Sequence, residues 1–341
     1  MQAEPRLVDQ FGRVATDLRI SLTDRCSLRC TYCMPAEGMQ WIASDDLLSG
    51  EEIISLAQIF IGLGVRSIRL TGGEPLLYRD LSGLIKELAQ CTPRPELSLT
   101  TNGISLADSA VDLVDAGLDR INISVDTLDR DTFTRLTRRN RLEDVLLGVA
   151  AAAKAGLAPL KINSVLQRGI NLDEAPALLE WALSNGYQLR FIEHMPLDAQ
   201  HDWRKEEMVT AEEIQEVLGT HFVLRPAEVA RGHAPAEEYD VLDGPGRDTW
   251  PVLPPRVGII ASVTRPFCRD CDRLRLTSDG QLRTCLFANS ETDLRDLLRS
   301  GASVEAVEET ILAAVAGKQA GHGINNVGFL QPIRPMSAIG G

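Results

Sequence analysis

The chain alternates short β-branched runs with longer amphipathic stretches between about residues 18 and 220, and this alternation constrains its fold more than any other feature. Runs typical of strands lie at 18–22, 67–71, 96–100, 120–125, 160–166 and 188–192. Helical patterns lie at 50–63, 80–89, 106–116, 142–155 and 173–185. Alternating strands and helices predict parallel β/α units. We therefore expect an α/β fold, either a barrel or an open doubly wound sheet, with functional residues at the carboxyl ends of its strands.

The sequence changes character after about residue 222. The segment 232–255 is rich in Gly and Pro and predicts a loop with a short strand or two. Strand-like runs at 273–277 and 281–286 flank Ser278-Asp279-Gly280, which is a hairpin signal, and a further run lies at 256–262. Closing helices are expected at 293–299 and 304–316, followed by a tail without periodicity. We predict two domains, 1–225 and 226–341.

The charge balance excludes some classes of function. The chain has 341 residues, with 35 Lys and Arg against 48 Asp and Glu, and a formal net charge of −13. Broad nucleic-acid binding needs a basic surface, so no nucleic-acid partner is expected. The longest apolar stretch, 145–153, is too short to span a bilayer, and residues 1–13 lack the apolar segment of a secretory signal. We expect a cytoplasmic protein without a membrane partner.

The first cysteine triplet, Cys26-x3-Cys30-x2-Cys33, follows the first predicted strand. A structural zinc site would recruit a fourth Cys or His, and the nearest histidine in the sequence is His194. Ferredoxin-type clusters also normally have four cysteine ligands. Three thiolates alone hold one face of a compact cluster and leave one metal position open to an exogenous ligand.

A second motif, Thr71-Gly72-Gly73-Glu74-Pro75, stands directly after the second predicted strand. Its glycines let the backbone approach a ligand closely, and Glu74 offers a carboxylate to a ligand ammonium. Together with the triplet, Tyr32 and Met34-Pro35, this motif resembles the signature of the radical S-adenosylmethionine (SAM) superfamily. The resemblance implies a [4Fe–4S] cluster whose open iron chelates SAM, which is cleaved on reduction to methionine and a 5′-deoxyadenosyl radical.

The second triplet is Cys268-x2-Cys271-x13-Cys285. A zinc ribbon would need a fourth ligand, no cysteine follows Cys285, and His322 lies well downstream, so a second open-sited iron–sulfur cluster fits better. The flanking run from Phe267 to Leu286 and the terminal Gly340-Gly341 resemble the GTP 3′,8-cyclase family, the molybdenum cofactor biosynthesis protein A family. The resemblance covers the chain from Arg19 to Gly341.

This resemblance implies a partial (β/α)6 TIM-like radical SAM barrel with a smaller C-terminal α+β domain that carries the second Fe–S cluster. It implies two [4Fe–4S] clusters, with GTP bound between them. The adenosyl radical removes the hydrogen on the ribose 3′ carbon, and the substrate radical attacks guanine carbon 8 to give 3′,8-cyclo-7,8-dihydro-GTP. It also implies an electron donor such as flavodoxin or ferredoxin and a downstream cyclic pyranopterin monophosphate synthase, and it allows a homodimer.

The resemblance assigns site residues position by position. The cluster ligands are Cys26, Cys30, Cys33, Cys268, Cys271 and Cys285. The SAM-binding residues are Tyr32, Gly73, Ser124 and Met195. The GTP-binding residues are Arg19, Arg69, Thr100, Lys161, Arg273, Leu274 and Arg275, consistent with the cations that a triphosphate requires. Gly340 and Gly341 are assigned to catalysis, because in this family the tail enters the active site.

Two departures from the family pattern and two rival functions remain. Ser27 and Asp272 stand where the family commonly has Asn, and neither position is a cluster ligand. One rival is a radical SAM enzyme that modifies a peptide or protein and carries an auxiliary cluster. The other is a zinc-binding structural or nucleic-acid module, which the net charge and the three-cysteine triplets disfavour.

Overall fold

A computed structural model describes residues 7–340, and its centre is a parallel sheet in chain order. The six strands are β1 (Asp17–Ser21), β2 (Ser67–Thr71), β3 (Glu96–Thr101), β4 (Arg120–Ser124), β5 (Lys161–Leu166) and β6 (Gln188–Glu193). Each pairs in parallel with the next. The order runs without the reversal that defines a doubly wound sheet. The sequence left a barrel and a doubly wound sheet as alternatives, and the structure therefore has the barrel-like sheet.

Seven helices are interleaved with the central strands. They are α1 (Gly50–Gly62), α2 (Leu81–Ala89), α3 (Leu106–Asp115), α4 (Arg130–Thr137), α5 (Leu142–Lys154), α6 (Ala175–Ser184) and α7 (Ala211–Gly219). Five match the predicted helices, and α4 and α7 were not predicted. Helix α7 had a sequence signal, since Thr210 and Glu213 form a capping box. Gly64 and Gly117 follow α1 and α3 with φ of +109° and +106°, as expected for glycines that end helices.

The C-terminal part extends both edges of the central sheet. Its strands are β7 (Val223–Pro226), β8 (Glu237–Asp243), β9 (Arg256–Ile260), β10 (Arg273–Leu276), β11 (Gln281–Arg283) and β12 (Thr292–Asp293). Its helices are α8 (Arg295–Arg299), α9 (Val304–Ala316) and α10 (Met336–Ile339). Strand β9 pairs in parallel with β6, and β10 pairs in parallel with β1.

Within the described residues these strands make one open sheet. The hydrogen-bonded order is β12-β11-β10-β1-β2-β3-β4-β5-β6-β9-β8-β7. The sheet is thus a partial (β/α)6 barrel whose two edges carry antiparallel strands, which confirms the predicted fold class. The predicted hairpin at Ser278-Asp279-Gly280 joins β10 to β11, with Gly280 at a φ of +79°. The domain boundary at 225/226 stays a prediction.

Alternation along the strands separates an apolar face from a polar one. In β1, Leu18 and Ile20 are fully buried in the main hydrophobic core, whereas Asp17 and Arg19 line a cavity. The sheet therefore turns its polar face to the barrel interior and its apolar face to the helices. No helix within residues 7–340 has the length and apolar character needed to cross a membrane.

Candidate functional site

A cavity of about 460 Å³ lies inside the open barrel and extends to the second cysteine triplet. Of the predicted site residues, it is lined by Arg19, Tyr32, Arg69, Thr100, Ser124, Lys161, Met195, Cys268, Cys271, Arg273, Arg275 and Cys285. Segments more than 250 residues apart in the sequence thus meet at one place. The structure brings together nearly all the residues predicted to bind GTP and three of the four predicted to bind SAM.

Two cations in this cavity were not predicted from the sequence. Arg120 and Arg190 also line it, which makes seven Lys and Arg side chains in all. Arg19 is in register with both Arg69 and Arg275, so the cations of neighbouring strands stand side by side. Polar residues at alternate positions of β4 and β6 were the available signal for the two missed arginines.

The crowded cations of the cavity lack enough counter-charge. Burial, together with neighbouring cations, lowers the pKa of Arg19 to about 9 and that of Lys161 to about 7. Within the described residues, Nε of Arg19, Nε of Arg69 and Nη2 of Arg273 are buried without a hydrogen-bond partner. Buried donors and charges of this kind are normally paired. This arrangement of unpaired, buried cations therefore favours the binding of a polyanion.

The first triplet sits in a loop that the C-terminal end of α4 holds in place. The N–H groups of Arg29 and Thr31 donate to the carbonyls of Thr137 and Leu136. Arg138, in the left-handed conformation with a φ of +56°, donates from Nη1 to the carbonyls of Arg29 and Met34, at 3.1 and 2.9 Å. These bonds span the turn that carries Cys30 and Cys33, and so they fix its shape.

The thiols of the first triplet are close enough to repel one another when charged. Burial, followed by the charge of Cys26, raises the pKa of Cys33 to about 12. Burial and the charges of Cys33, Asp126 and Cys26 raise the pKa of Cys30. Holding all three as thiolates requires added positive charge, which a bound iron cluster would supply. The donor set therefore fits such a cluster.

The second triplet borders the cavity directly. Cys268 and Cys271 precede β10, and Cys285 follows β11. Burial acts to raise the pKa of the Cys271 thiol, but the Lys318 ammonium and the Arg273 guanidinium outweigh it, so that this pKa is lowered. These surroundings favour a thiolate at Cys271, as metal ligation requires.

His322 is not available as a fourth ligand of the second triplet. Its Nε2 is 3.0 Å from the carbonyl oxygen of Ser262, and its Nδ1 accepts from the N–H of Ile324 at 3.1 Å. Both ring nitrogens are therefore engaged. Among residues 7–340, no group of three or more His, Cys, Asp or Glu side chains converges on a single metal ion, whereas the cysteine ligands of a four-iron cluster each bind a separate iron. The six cysteines of the two triplets are all free of disulfides.

Three of the residues predicted to bind SAM, Tyr32, Ser124 and Met195, line the cavity, and Tyr32 stands within the first triplet. The Tyr32 hydroxyl donates to Oδ2 of Asp126 at 2.6 Å, and the Val165 N–H donates to the other oxygen of that carboxylate at 2.8 Å. Burial raises the pKa of Asp126 to about 6. Gly73 does not line the cavity, but its backbone approaches Arg25 so closely that a Cβ would lie 2.3 Å from the Arg25 carbonyl oxygen. Only glycine fits there.

Glu74 is hydrogen-bonded within the protein. Its Oε1 accepts from the Leu76 N–H at 3.0 Å and from the Thr101 hydroxyl at 2.6 Å, and its Oε2 accepts from the Asn102 N–H at 2.7 Å. The carboxylate is 2% exposed and joins the loops that follow β2 and β3. Its contact with a ligand ammonium stays a prediction.

Leu274 differs from the other predicted GTP-binding residues. Its side chain is 1% exposed and packs in the main hydrophobic core, not against the cavity. Arg273 and Arg275 on either side of it face the cavity instead. The alternation of a strand explains the difference, because successive side chains point to opposite faces.

The C-terminal tail reaches the cavity and the first triplet. Ser337 lies close enough to Cys33 to influence the pKa of its thiol and donates from Oγ to the Met39 Sδ at 3.3 Å, and Met336 lines the cavity. Gly340 has a φ of +88°, and a Cβ on it would lie 3.0 Å from side-chain carbons of Ser21 and Thr71. Gly340 thus packs against the ends of β1 and β2, and its catalytic role stays a prediction, while Gly341 lies outside the described residues.

Comparisons with known proteins agree with this geometry. A model of the radical SAM superfamily matches residues 20–182, and a model described as Molybdenum Cofactor Synthesis C matches residues 187–324. The chain resembles the crystal structure of Streptococcus suis SuiB bound to S-adenosylmethionine, with a TM-score of 0.58 at 14% identity over 89% of this chain and 69% of that one. That likeness concerns the fold.

Two curated relatives match nearly the full length. A GTP 3′,8-cyclase of Streptomyces coelicolor is 57% identical over 337 residues, which cover 98% of this chain and 96% of the relative. A GTP 3′,8-cyclase of Mycolicibacterium smegmatis is 53% identical over 340 residues, which cover 99% and 93%. The chain therefore belongs to the GTP 3′,8-cyclase family of radical SAM enzymes, which act in molybdenum cofactor synthesis.

Proposed function

We propose that the cavity binds GTP between the two cysteine triplets and that the chain converts it there to 3′,8-cyclo-7,8-dihydro-GTP. The observation that carries this proposal is that seven Lys and Arg side chains line one cavity together with Cys268, Cys271 and Cys285. A nucleoside triphosphate supplies several negative charges and a flat base. A neutral peptide would leave the buried guanidinium groups without partners.

The six cysteines would hold the two [4Fe–4S] clusters. When bound at Cys26, Cys30 and Cys33, the first cluster with SAM supplies the 5′-deoxyadenosyl radical that starts the conversion. The chain's own part is to hold that loop rigid, through the bonds of Arg138 to the Arg29 and Met34 carbonyls. Tyr32 is fixed in turn by its hydrogen bond to Asp126.

The cationic residues orient the substrate. Arg19, Arg69 and Lys161 all line the barrel interior. The unpaired Nε–H groups of Arg19 and Arg69, together with the Lys161 ammonium, would donate to phosphate oxygens. Arg273 lies between this group and Cys271, beside the Phe267 ring, with its guanidinium carbon 4.5 Å from the ring centroid. The guanine end of GTP would then lie toward the second triplet, which fixes the direction of the nucleotide.

The tail would exclude water from the radical. Met336 borders the cavity, and Ile339, 1% exposed, packs in a small apolar cluster with Leu197, Val263 and Phe287. Gly340 then passes between Ser21 and Thr71 without a side chain. A closed, dry site protects a reactive intermediate from side reactions.

The partners of the reaction are also part of the proposal. Reduction requires an electron donor such as flavodoxin or ferredoxin, and the product would pass to a cyclic pyranopterin monophosphate synthase. A homodimer and a cytoplasmic location stay predictions. The rival function, modification of a peptide or protein by a radical SAM enzyme, predicts that SAM cleavage depends on a peptide instead of GTP.

Anaerobic reconstitution with iron and sulfide, followed by SAM, reductant and GTP labelled with deuterium at C3′, tests the proposal. We expect GTP-dependent 5′-deoxyadenosine that carries one deuterium, together with the cyclised nucleotide. Unlabelled 5′-deoxyadenosine formed at the same rate without GTP would contradict it. Cys33→Ala and Cys271→Ala should each remove about half of the bound iron, whereas Cys91→Ala, at a buried thiol in the core, should keep all of it.

A further inference from the structure

Lys318 is a buried cation beside the second cysteine triplet. It follows helix α9 and is 3% exposed. Its Nζ lies 3.0 Å from the Cys271 carbonyl oxygen, 2.9 Å from the Arg273 carbonyl oxygen and 3.8 Å from the Cys271 Sγ. The three N–H bonds of one ammonium are thus directed at the segment that leads from Cys271 into β10.

The negative charge that faces this ammonium comes from sulfur. Lysine is almost never fully buried unless it is paired. The charged groups that act on Lys318 are the Cys271 and Cys285 thiols, Arg13 and Asp9. Asp9 is already engaged by Arg13, whose Nε is 2.5 Å from its Oδ2. The thiolates of the second triplet are therefore the counter-charge at hand for Lys318.

Hydrogen bonds from Gln10 and Arg13 fix the segment that carries Lys318. Gln10 donates from Nε2 to the Lys318 carbonyl at 3.2 Å. Arg13 donates to the carbonyls of Gln319 and Ala320, at 2.6 and 3.0 Å, and also to the Cys268 carbonyl, at 2.7 Å. The N-terminal segment and the segment after α9 are thus joined to both ends of the Cys268–Cys271 loop, so that Lys318 has little freedom to turn away.

We propose that Lys318 is a positioning residue of the second cluster, which holds Cys271 and the start of β10 in place and raises the reduction potential of the cluster. The proposal rests on the assignment of Cys268, Cys271 and Cys285 as cluster ligands. A positive charge and an N–H···S bond stabilise the more negative, reduced form of a thiolate-bound cluster. Because the same ammonium binds the Arg273 carbonyl, it also couples the cluster to a strand that lines the substrate cavity.

The experiment isolates the second cluster in the full-length chain. A Cys26→Ala, Cys30→Ala, Cys33→Ala background removes the ligands of the first cluster, and the midpoint potential of the remaining one is read from an EPR-monitored redox titration. Lys318→Met removes charge and hydrogen bonds, Lys318→Gln removes the charge and keeps an N–H donor, and Lys318→Arg keeps both. Lys154→Met, at an exposed lysine of α5, is the matched control.

We expect the midpoint potential to fall in the order wild type, Lys318→Gln, Lys318→Met, with Lys318→Arg closer to wild type than either and Lys154→Met unchanged. Chelators should remove iron faster from Lys318→Met. If Lys318→Met keeps its full iron and its midpoint potential equals that of wild type, the proposal is wrong. If Lys318→Met retains too little iron for titration, the test uses Lys318→Gln instead, and a midpoint potential of Lys318→Gln equal to that of wild type overturns the proposal.

A separate variant distinguishes failure of this inference from failure of the site assignment. In the same background, Cys271→Ala should abolish iron binding. If Cys271→Ala keeps its iron, the ligand assignment is wrong, and the role of Lys318 falls with it. If Cys271→Ala loses iron while the Lys318 variants match the wild type, only the inference about Lys318 is wrong.

Discussion

Arg275 donates a hydrogen bond from Nη1 to the carbonyl oxygen of Gly340. The arginine is 5% exposed on β10, and the glycine directly follows α10 in the C-terminal tail. This bond joins the basic lining of the site to the C-terminal residues. Substrate binding and tail position are therefore expected to depend on one another.

Removal of Gly340 and Gly341 should abolish GTP turnover and leave the fold and both clusters intact, because Gly340 contacts Arg275, Ser21 and Thr71 at the site and is not part of a strand. A single Gly340→Ala change should lower kcat about tenfold, since a Cβ would meet Ser21 and Thr71 at 3.0 Å with φ at +88°. Gly169→Ala is the control, because its φ is +67° and nothing lies within 4 Å of the new Cβ. Full cyclisation by the truncated, reconstituted protein would refute this role.

Arg334 should act as the anchor of the tail. Its Nη1 and Nη2 donate to both oxygens of Asp279 at 3.0 and 2.7 Å, and its Nε donates to Glu291 at 3.0 Å. Charge-assisted bonds of this kind contribute about 1.5–3 kcal/mol each, so Arg334→Met should loosen the tail and lower kcat/KM by at least tenfold.

Arg204→Met, which removes an exposed pair with Glu207 at 3.9 Å, serves as the comparison for Arg334→Met. The measurement is steady-state cyclisation together with limited proteolysis of the tail. Equal proteolysis and equal kinetics in the two variants would show that the Asp279 contact does not anchor the tail.

GTP binding should weaken as the pH rises above 7. Burial and the nearby Arg190, Arg120 and Arg69 lower the pKa of Lys161 to about 7, so the free protein loses this charge above that pH. A bound triphosphate stabilises the protonated Lys161, so GTP binding is coupled to uptake of a proton above pH 7. The Kd for GTP should therefore rise by up to about tenfold per pH unit in that range. Calorimetry in buffers of different ionisation enthalpy should detect proton uptake, and Lys161→Arg, which stays charged, should abolish it. A Kd for wild type that is flat from pH 7 to 9 would contradict the prediction.

Glu193 should be among the residues most important for stability. It is 1% exposed, and its carboxylate accepts from the N–H groups of Ala211, Val263 and Thr264 at 2.8–2.9 Å. In Glu193→Gln, the side-chain NH2 group would face some of these backbone N–H donors and leave them without an acceptor. This change should therefore lower the free energy of unfolding by about 3 kcal/mol. The urea midpoint, compared with that of the exposed Glu180→Gln, measures this. Equal midpoints would mean that the carboxylate is not needed to join β6 to α7.

Local sequence signals predicted much of this structure. Every end of the six central strands and of the five predicted helices was placed to within two residues, since hydrophobic periodicity and helix-ending glycines such as Gly64 act within a few residues. Helix α4 was missed because it is short and polar, with the sequence RDTFTRLT. The cysteine spacing identified both triplets for the same reason: ligands of one cluster lie close together along the chain.

The amino-acid sequence by itself determined the parallel β/α pattern and the two triplets, and its resemblance to the family implied cations that meet a triphosphate. Only the tertiary structure decided that Arg120 and Arg190 join the site, that Leu274 packs in the core and that Lys318 faces Cys271. Register between neighbouring strands and the path of the chain after α9 set these contacts. Such contacts join residues tens to hundreds of positions apart and depend on how whole elements pack. Strand alternation shows which side chains share a face, but it does not show which other segment that face meets.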